Sequence, residues 1–479
     1  MNFLYKNFKR LMSWFPVALT ILIITGCATV GPDYRPPETS EPRQWHTQLK
    51  SGLISEEKDS HTLTAWWTLF NDQGLSSLIE RAVAGNLDLK KAWARIREER
   101  ARRGVAKAGL FPTLDGNGSA NWSRSSDNVD TDLYNGGFDA AWELDIFGGV
   151  RRSVEAADGD LQASQWDLRD VMVSLLAEVA LNYVEVRTFQ NRLDVAEANL
   201  AVQNDTYQLT EWQYQAGLSD ELAVQEARYN LESTKSEIPT LRTGLEEAMN
   251  RIAVLLGDQP GRVHGELEKP ATVPLTPLSI AVGVPADTLR RRPDVRRAER
   301  ELAAQTARVG VATADFYPKI TLNGSIGLEV LSQNNLPASP VRNISGGPQI
   351  TWSIFQGGAI LQNIKVQSAL QEQALIKYEA TILSALEEVE NALTAYAEEQ
   401  ARRDALCEGE QAARKAAEMA QLKYEAGLID FINVLIAQRS LLSFQDQLAQ
   451  SNGTVTSNLV TLYKVLGGGW ESLASNEKK

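Results

Sequence analysis

Two stretches of this chain, 149–215 and 359–426, contain no proline and, beyond their first residue, one glycine each, Gly159 and Gly409. In the first, Leu168, Met172, Leu175, Val179, Asn182 and Val186 open a run that steps by four and three through Phe189, Leu193, Ala196, Leu200 and Gln203 to Tyr207. That spacing lays a mostly apolar stripe along one face of a helix, the seam of a coiled coil. Leu176, Ala180 and Tyr183 form a second stripe beside it, so the helix is expected to pack on more than one neighbour. At ~1.5 Å per residue such a helix is about 100 Å long, well beyond ordinary globular helices.

Before each long stretch the period is two. In "FDAAWELDIF", Phe138, Ala140, Trp142, Leu144 and Ile146 alternate with Asp139, Ala141, Glu143, Asp145 and Phe147. In "KITLNGSIGLEV", Ile320, Leu322, Ile326, Leu328 and Val330 share one side. "TLDGNGSANW" and "NISGGPQITWSIF" repeat the alternation. Strands with one apolar and one polar face are predicted at about 113–123, 137–147, 319–331 and 343–355. Charged, alanine-rich helical stretches, 74–107 and 286–313, precede them and end at Pro112 and Pro318.

"YQAGLSD" (214–220) and "YEAGLID" (424–430) say nearly the same thing 210 residues apart. Each follows a long helix. Gly217 and Gly427 suit the left-handed turn that ends a helix. Asp220 and Asp430 suit the caps of returning helices over 220–256 and 430–466. The phrase is therefore expected at the tip of an αα-hairpin, made twice, with Leu218 and Leu428 at the turn. The duplication extends further. Pro112, Asn117, Gly118 and Ser119 match Pro318, Asn323, Gly324 and Ser325, and "DIFGG" parallels "SIFQGG" with one inserted residue. The layout is an internal two-fold repeat, 74–257 and 286–467, with a segment 258–285 between and a tail 468–479.

The N-terminus changes the setting. Lys6, Lys9 and Arg10 precede an uncharged stretch, Leu11–Thr25, and then Ile24-Thr25-Gly26-Cys27. A positive segment, an apolar segment and small residues before a cysteine read as a lipoprotein signal peptide over 1–26. The Cys27 thiol then receives the lipid, and the proline-rich run "VGPDYRPPETSEP" makes 27–73 begin as an extended leash. Ala28 after the cysteine favours export to a Gram-negative outer membrane. The formal charge of −13 makes nucleic acid an unsuitable partner. His46, His61 and His264 are scattered, and Cys407 is the one cysteine besides Cys27, so no metal set, cofactor site or catalytic constellation is expected.

Four strands with an apolar face pose a geometric problem. A membrane strand needs about 9–11 residues, and these segments are that long. Four cannot close a barrel, and an open sheet in lipid leaves edge groups unpaired at several kcal/mol each. Several chains must share one wall: two give eight strands, three give twelve.

The residues "GCATVGPDY" (26–34), "WWTLFND" (66–72), "LRRRPDVRRAERELAAQTARVGVATADFYPKITL" (289–322) and "YEAGLIDFINVLIAQRSLL" (424–442) resemble those of the TolC-like outer-membrane factors, in the lipoprotein branch that serves efflux pumps. The resemblance implies a mixed α and β membrane protein. It would be a homotrimer with a twelve-stranded transmembrane barrel, four strands per chain, continuous with a long periplasmic α-helical barrel. It implies a gated passive duct for small molecules, a periplasmic adaptor docked around Gly217, Leu218, Asp220, Gly427, Leu428 and Asp430, and an inner-membrane pump of the resistance–nodulation–division class. It places Ile432 and Ile436 at the family's periplasmic constriction. Many relatives carry an acid immediately before "AQR"; here Ile436 stands there and the aligned residue of the first repeat is Glu226. An apolar gate is expected, the alternative being that the two isoleucines pack between helices. Asp139, Glu143, Asp145 and Glu329 are expected on strand faces lining the lumen, giving a cation preference. Protein export on the same fold, and a structural coiled-coil lipoprotein without a pore, are the competing readings. Lipid anchorage argues against the first and the paired strands against the second.

Overall fold

A computed structural model describes residues 29–37, 42, 44–54, 63–126, 130–274, 280–283, 285–333, 336–337 and 339–470. The chain divides into two compact units. The first takes in 29–37, Ala94–Gln165 and Arg297–Ala380; the second takes in the described residues of Thr39–Trp93, Trp166–Arg296 and Thr381–Lys479. The principal elements run α1 Gln73–Gly85, α2 Leu87–Ala108, β1 Thr113–Arg124, β2 Asp130–Leu144, α3 Gly149–Gln215, α4 Glu221–Leu255, α5 Pro285–Arg291, α6 Pro293–Ala314, β3 Lys319–Gln333, β4 Val341–Thr351, α7 Ala359–Glu425 and α8 Phe431–Val465. No helix among the described residues is long and apolar enough to cross a membrane.

Two predicted helices are each broken in two. The stretch 74–107 is interrupted at Asn86, whose extended backbone (ψ 134°) stops α1. Its Oδ1 accepts from Leu89 N (2.9 Å) and caps α2, while its Nδ2 donates to the Leu255 carbonyl (2.9 Å). The stretch 286–313 is interrupted at Arg292, before Pro293. Proline lacks the N–H a continuing helix needs but is well suited to a first turn. Arg292 Nη1 donates to the Val465 carbonyl (3.0 Å). The two breaks are the same joint in two repeats: a polar side chain holds the last carbonyls of the return helix, one with an amide and one with a guanidinium.

In the first unit the four long strands pair antiparallel in the order β1-β2-β3-β4, and the short segment Leu336–Pro337 folds back onto the end of β3. Strand β2 begins at Asp130, seven residues before the alternation predicts, because its polar and glycine-rich start (Asp132, Asn135, Gly136) hides the period. Strand β4 ends at Thr351, short of the predicted 355. Trp142 Nε1 donates to the Leu110 carbonyl (3.0 Å) and its repeat equivalent Trp352 to the Phe316 carbonyl (3.2 Å). Each indole thus pins a helix-to-strand joint. Residues 29–37 lie along this unit: Val30 N donates to the Phe147 carbonyl (3.1 Å), and Arg152 donates to the Val30 carbonyl (3.1 Å) and to Asp33 (2.6 Å).

In the second unit α3 buries Leu168, Met172, Leu175, Val179 and Val186 of the seam, and Leu176, Ala180 and Tyr183 of the second stripe. Fully buried Trp66 stacks on Tyr463 of α8 (5.5 Å between rings). Asp72 caps α1 through Leu75 N (3.0 Å) and also accepts from the Tyr183 hydroxyl (2.8 Å), so "WWTLFND" fastens the start of the repeat to α3.

Candidate functional site

The sheet has two chemically different faces. Strand register puts Phe138 opposite Ile326, and Ile326 opposite Ile344, on one face. These side chains are 57%, 56% and 75% exposed, so they are left uncovered by the described residues. Tyr134, Trp142, Leu322 and Ile350 extend the same face and are also exposed. An uncovered apolar face of this kind, on all four strands, marks an interaction surface rather than a core. The opposite face is polar. Asp139 lies between Asp115 and Ser325, with Asn117 donating to its carboxylate. Asn323 donates to Gln349 (2.7 Å) and Ser325 meets Ser345 (2.7 Å). Glu143 and Glu329 point to this same side by register.

Asp145 does not join that set. Strand β2 ends at Leu144, and the Asp145 carboxylate accepts from Val150 N (3.0 Å), Arg151 N (2.9 Å) and Arg151 Nε (3.1 Å). It is a cap on the first turn of α3, where free N–H groups and the helix dipole favour a carboxylate. Its place four residues before an uninterrupted helix was the available signal; the strand alternation masked it.

Both edges of the sheet, β1 and β4, carry a single partner strand along most of their length. Each therefore presents a row of backbone donors and acceptors with no ladder partner among the described residues.

At the far ends of the hairpins, Gly217 (φ 72°) and Gly427 (φ 68°) adopt the left-handed conformation. Leu218 N donates to the Gln213 carbonyl (2.8 Å) and Leu428 N to the Lys423 carbonyl (2.9 Å), closing two Schellman turns. Leu218 and Leu428 are exposed. Asp220 accepts from Ala223 N (2.9 Å) and caps α4. Asp430 occupies the matching position, but its carboxylate caps nothing; instead its carbonyl accepts from Asn433 N (3.1 Å).

Behind the turns, Ala227 packs with Phe431, Val434 and Leu435, supported by Tyr207 and Tyr424. Ile432 and Ile436 lie outside this cluster and are 40% and 54% exposed. Glu226 is half-buried on α4.

Sequence reasoning missed the polar ties of this region. Arg439 donates to the Tyr229 hydroxyl (3.2 Å), with its guanidinium 5.4 Å from the ring. Tyr424 donates to Gln213 (2.6 Å), and Gln438 to Thr206 (3.2 Å). Tyr229 and Arg439 are 210 residues apart, the same position in two repeats, and that equivalence was a usable signal. Higher on the hairpins Arg192 holds Asp446 by two bonds (2.7 and 3.1 Å). Burial, with the Asp446 charge added and Arg192 opposing, holds Glu237 above the usual carboxylate range. Among the described residues no group of three or more His, Cys, Asp or Glu side chains could hold a metal ion. Cys27 lies outside the described residues.

Long helical hairpins and a two-faced sheet with exposed outer strands define a class of mixed α and β protein. The family model described as outer membrane efflux protein matches the chain over residues 78–258 and again over 284–468, one match per repeat. The chain belongs to the outer membrane efflux protein family. It is 32% identical to Nodulation protein T of Rhizobium leguminosarum bv. trifolii over 458 residues, 95% of this chain and 97% of that protein. It is 31% identical to the Cation efflux system protein CusC of Escherichia coli O6:H1, over 94% of this chain and 97% of that protein. The solved structure of the outer-membrane channel OprN superposes with a TM-score of 0.86 at 37% identity, over 93% of this chain and 100% of that one.

Proposed function

We propose that this protein is the outer-membrane exit duct of a tripartite efflux pump. Three copies would pool their strands in one twelve-stranded barrel, and the hairpin helices would line the periplasmic part of the passage. The observation that carries this is the sheet: one face exposes mainly apolar and aromatic side chains, with Arg124, Asp130, Asp132 and Arg342 confined to its end, the other is hydrophilic, and the outer strands have open edges among the described residues. Lipid satisfies the first face, water the second, and only further strands satisfy the edges.

On this reading Asp139, Glu143 and Glu329 face the lumen and make it locally negative, and Ile432 and Ile436 form an apolar constriction near the tips. A periplasmic adaptor docks at the turns around Gly217 and Gly427. An inner-membrane pump of the resistance–nodulation–division class supplies the energy, since a duct has none. Lipid on Cys27 anchors the chain in the outer membrane. The name of one relative ties it to cation efflux and that of the other to nodulation. The test is planar-bilayer recording of the purified full-length protein, with and without adaptor. Discrete conductance steps are expected. A protein that inserts but never conducts, and whose deletion leaves efflux intact, ends the proposal.

A further inference from the structure

The segment between the repeats, 258–285, is tied to the long helices at two places. Gln190 and Arg187 of α3 donate to the carbonyls of Leu267 (2.6 Å) and Lys269 (2.9 Å). Thr456 of α8 donates to the Pro274 carbonyl (3.2 Å). Between these ties runs Pro270-Ala271-Thr272-Val273-Pro274, which belongs to no helix, strand or turn. The prolines have no N–H, so the donors here are those of Ala271, Thr272 and Val273. Val273, placed before a proline, is biased to an extended backbone. None of the three makes a backbone hydrogen bond with another described residue.

This stretch forms one wall of a cavity of about 470 Å³ in the second unit. Asn191 and Asp194 of α3, Arg403 of α7 and Asn452, Val455 and Thr456 of α8 form the others. The volume suits a small ligand. Below it α3 and α8 are in close contact, since a Cβ on Gly453 would stand 2.9 Å from the Thr188 methyl. Arg403 gives Nε and Nη2 to Asp404 (3.2 and 2.9 Å). Its Nη1 meets no acceptor among the described residues, and the side chains of Asn191, Asp194 and Asn452 have no partner among them. One cation, one anion and two amides thus surround a length of unpaired backbone. The set has no counterpart in the other repeat. Ala401 and Leu193 stand, 210 residues away, at the positions of Asn191 and Arg403.

We propose that this cavity binds a short peptide with both ends free, laid along Ala271–Val273. The peptide main chain pairs with the unpaired backbone as an added strand. Its terminal carboxylate meets Arg403 and its terminal ammonium meets Asp194. Guanidinium and carboxylate make the stronger, charge-assisted kind of hydrogen bond. The amides of Asn191 and Asn452 both donate and accept, which matches the peptide groups between the ends. A single amino acid satisfies the two charges but leaves the backbone unpaired. The site uses nothing of the sheet or of conduction, so it and the duct stand or fall separately.

The test is calorimetry on the purified full-length protein in detergent, with dialanine, trialanine and tetra-alanine as probes. One length is expected to bind best, because charges held on α3 and α7 set a span. That peptide is then compared with its C-terminal amide and its N-acetyl form. Amidation should weaken binding about tenfold in the wild-type protein, the usual worth of a hydrogen bond to a charged group, and should have no effect in Arg403→Gln. Acetylation should behave in the same way against Asp194→Asn. Unchanged thermal unfolding of the two variants shows that the fold is intact. Amide hydrogen exchange at Ala271, Thr272 and Val273 should slow when the peptide is bound. No heat and no slowing with any of the three peptides overturns the site. Amidation that weakens binding equally in wild type and Arg403→Gln overturns the carboxylate contact, and the matching result for acetylation and Asp194→Asn overturns the ammonium contact. Binding that leaves the three amides exchanging as before overturns the strand pairing.

Discussion

Asp220 and Asp430 hold the same position in two hairpins, yet only the first bonds its helix. Asp220→Ala should cost about 1 kcal/mol of local helix stability, the usual loss for a cap. Asp430→Ala should cost far less. Amide exchange at Ala223 against Asn433 reads the difference, and equal losses at the two sites would contradict the geometry. The isoleucines of α8 behave as a pair because residues four apart share a helix face. With both exposed in the chain, Ile432→Ser combined with Ile436→Ser should wet the tip and raise single-channel conductance without altering the fold. Unchanged conductance removes them from the gate. The glycine turns and the Asp220 cap were legible from the tip phrase. Arg439 and Tyr229 were not, because a hydrogen bond across two helices leaves no local pattern in either.

At the scale of elements, the long helices were readable because an unbroken seam has no competing interpretation. The joints at Asn86 and Arg292 were not, since each is fixed by a carbonyl about 170 residues away in sequence. The segment 44–47 is held in a similar long-range way. Its backbone N–H groups at His46 and Thr47 donate to Glu390 of α7 (2.7 and 2.9 Å). Partial burial alone would raise the Glu390 pKa, but the Thr47 side chain and the two N–H groups outweigh it and hold the carboxyl below the usual range. The sign follows from linkage: a depressed carboxyl pKa stabilises the docked segment above the unfolded value of about 4.3. That stabilisation is lost as pH falls through the folded value. Protection of the His46 and Thr47 amides should therefore fade in acid, and Glu390→Gln should abolish the pH dependence. Protection that is flat with pH in the wild-type protein would show that the carboxylate does not hold the segment.

For the molecule as a whole, the four-strand problem could be posed from the alternation alone, but the count of copies could not, because eight and twelve strands both close. Charge in the passage is testable at this scale. Replacing Asp139, Glu143 and Glu329 together by Asn, Gln and Gln should shift the reversal potential in a salt gradient toward no cation preference. Asp145→Asn should instead loosen the start of α3 and leave selectivity alone. Anion selectivity in the unaltered channel would rule out the acidic lining. The two repeats also agree in size where it counts: α3 and α7 each have 67 residues, and α4 and α8 each have 35. The shift from an offset of 206 to one of 210 falls between Ser119/Ser325 and Trp142/Trp352, within the hairpin that joins one strand to the next. Helix lengths are thus held equal between the two repeats, while the spacing changes at "DIFGG"/"SIFQGG" and within the strand hairpins. Those turns are where a foreign epitope can be spliced in at least cost, and an antibody added to intact cells would then report which side of the wall they reach.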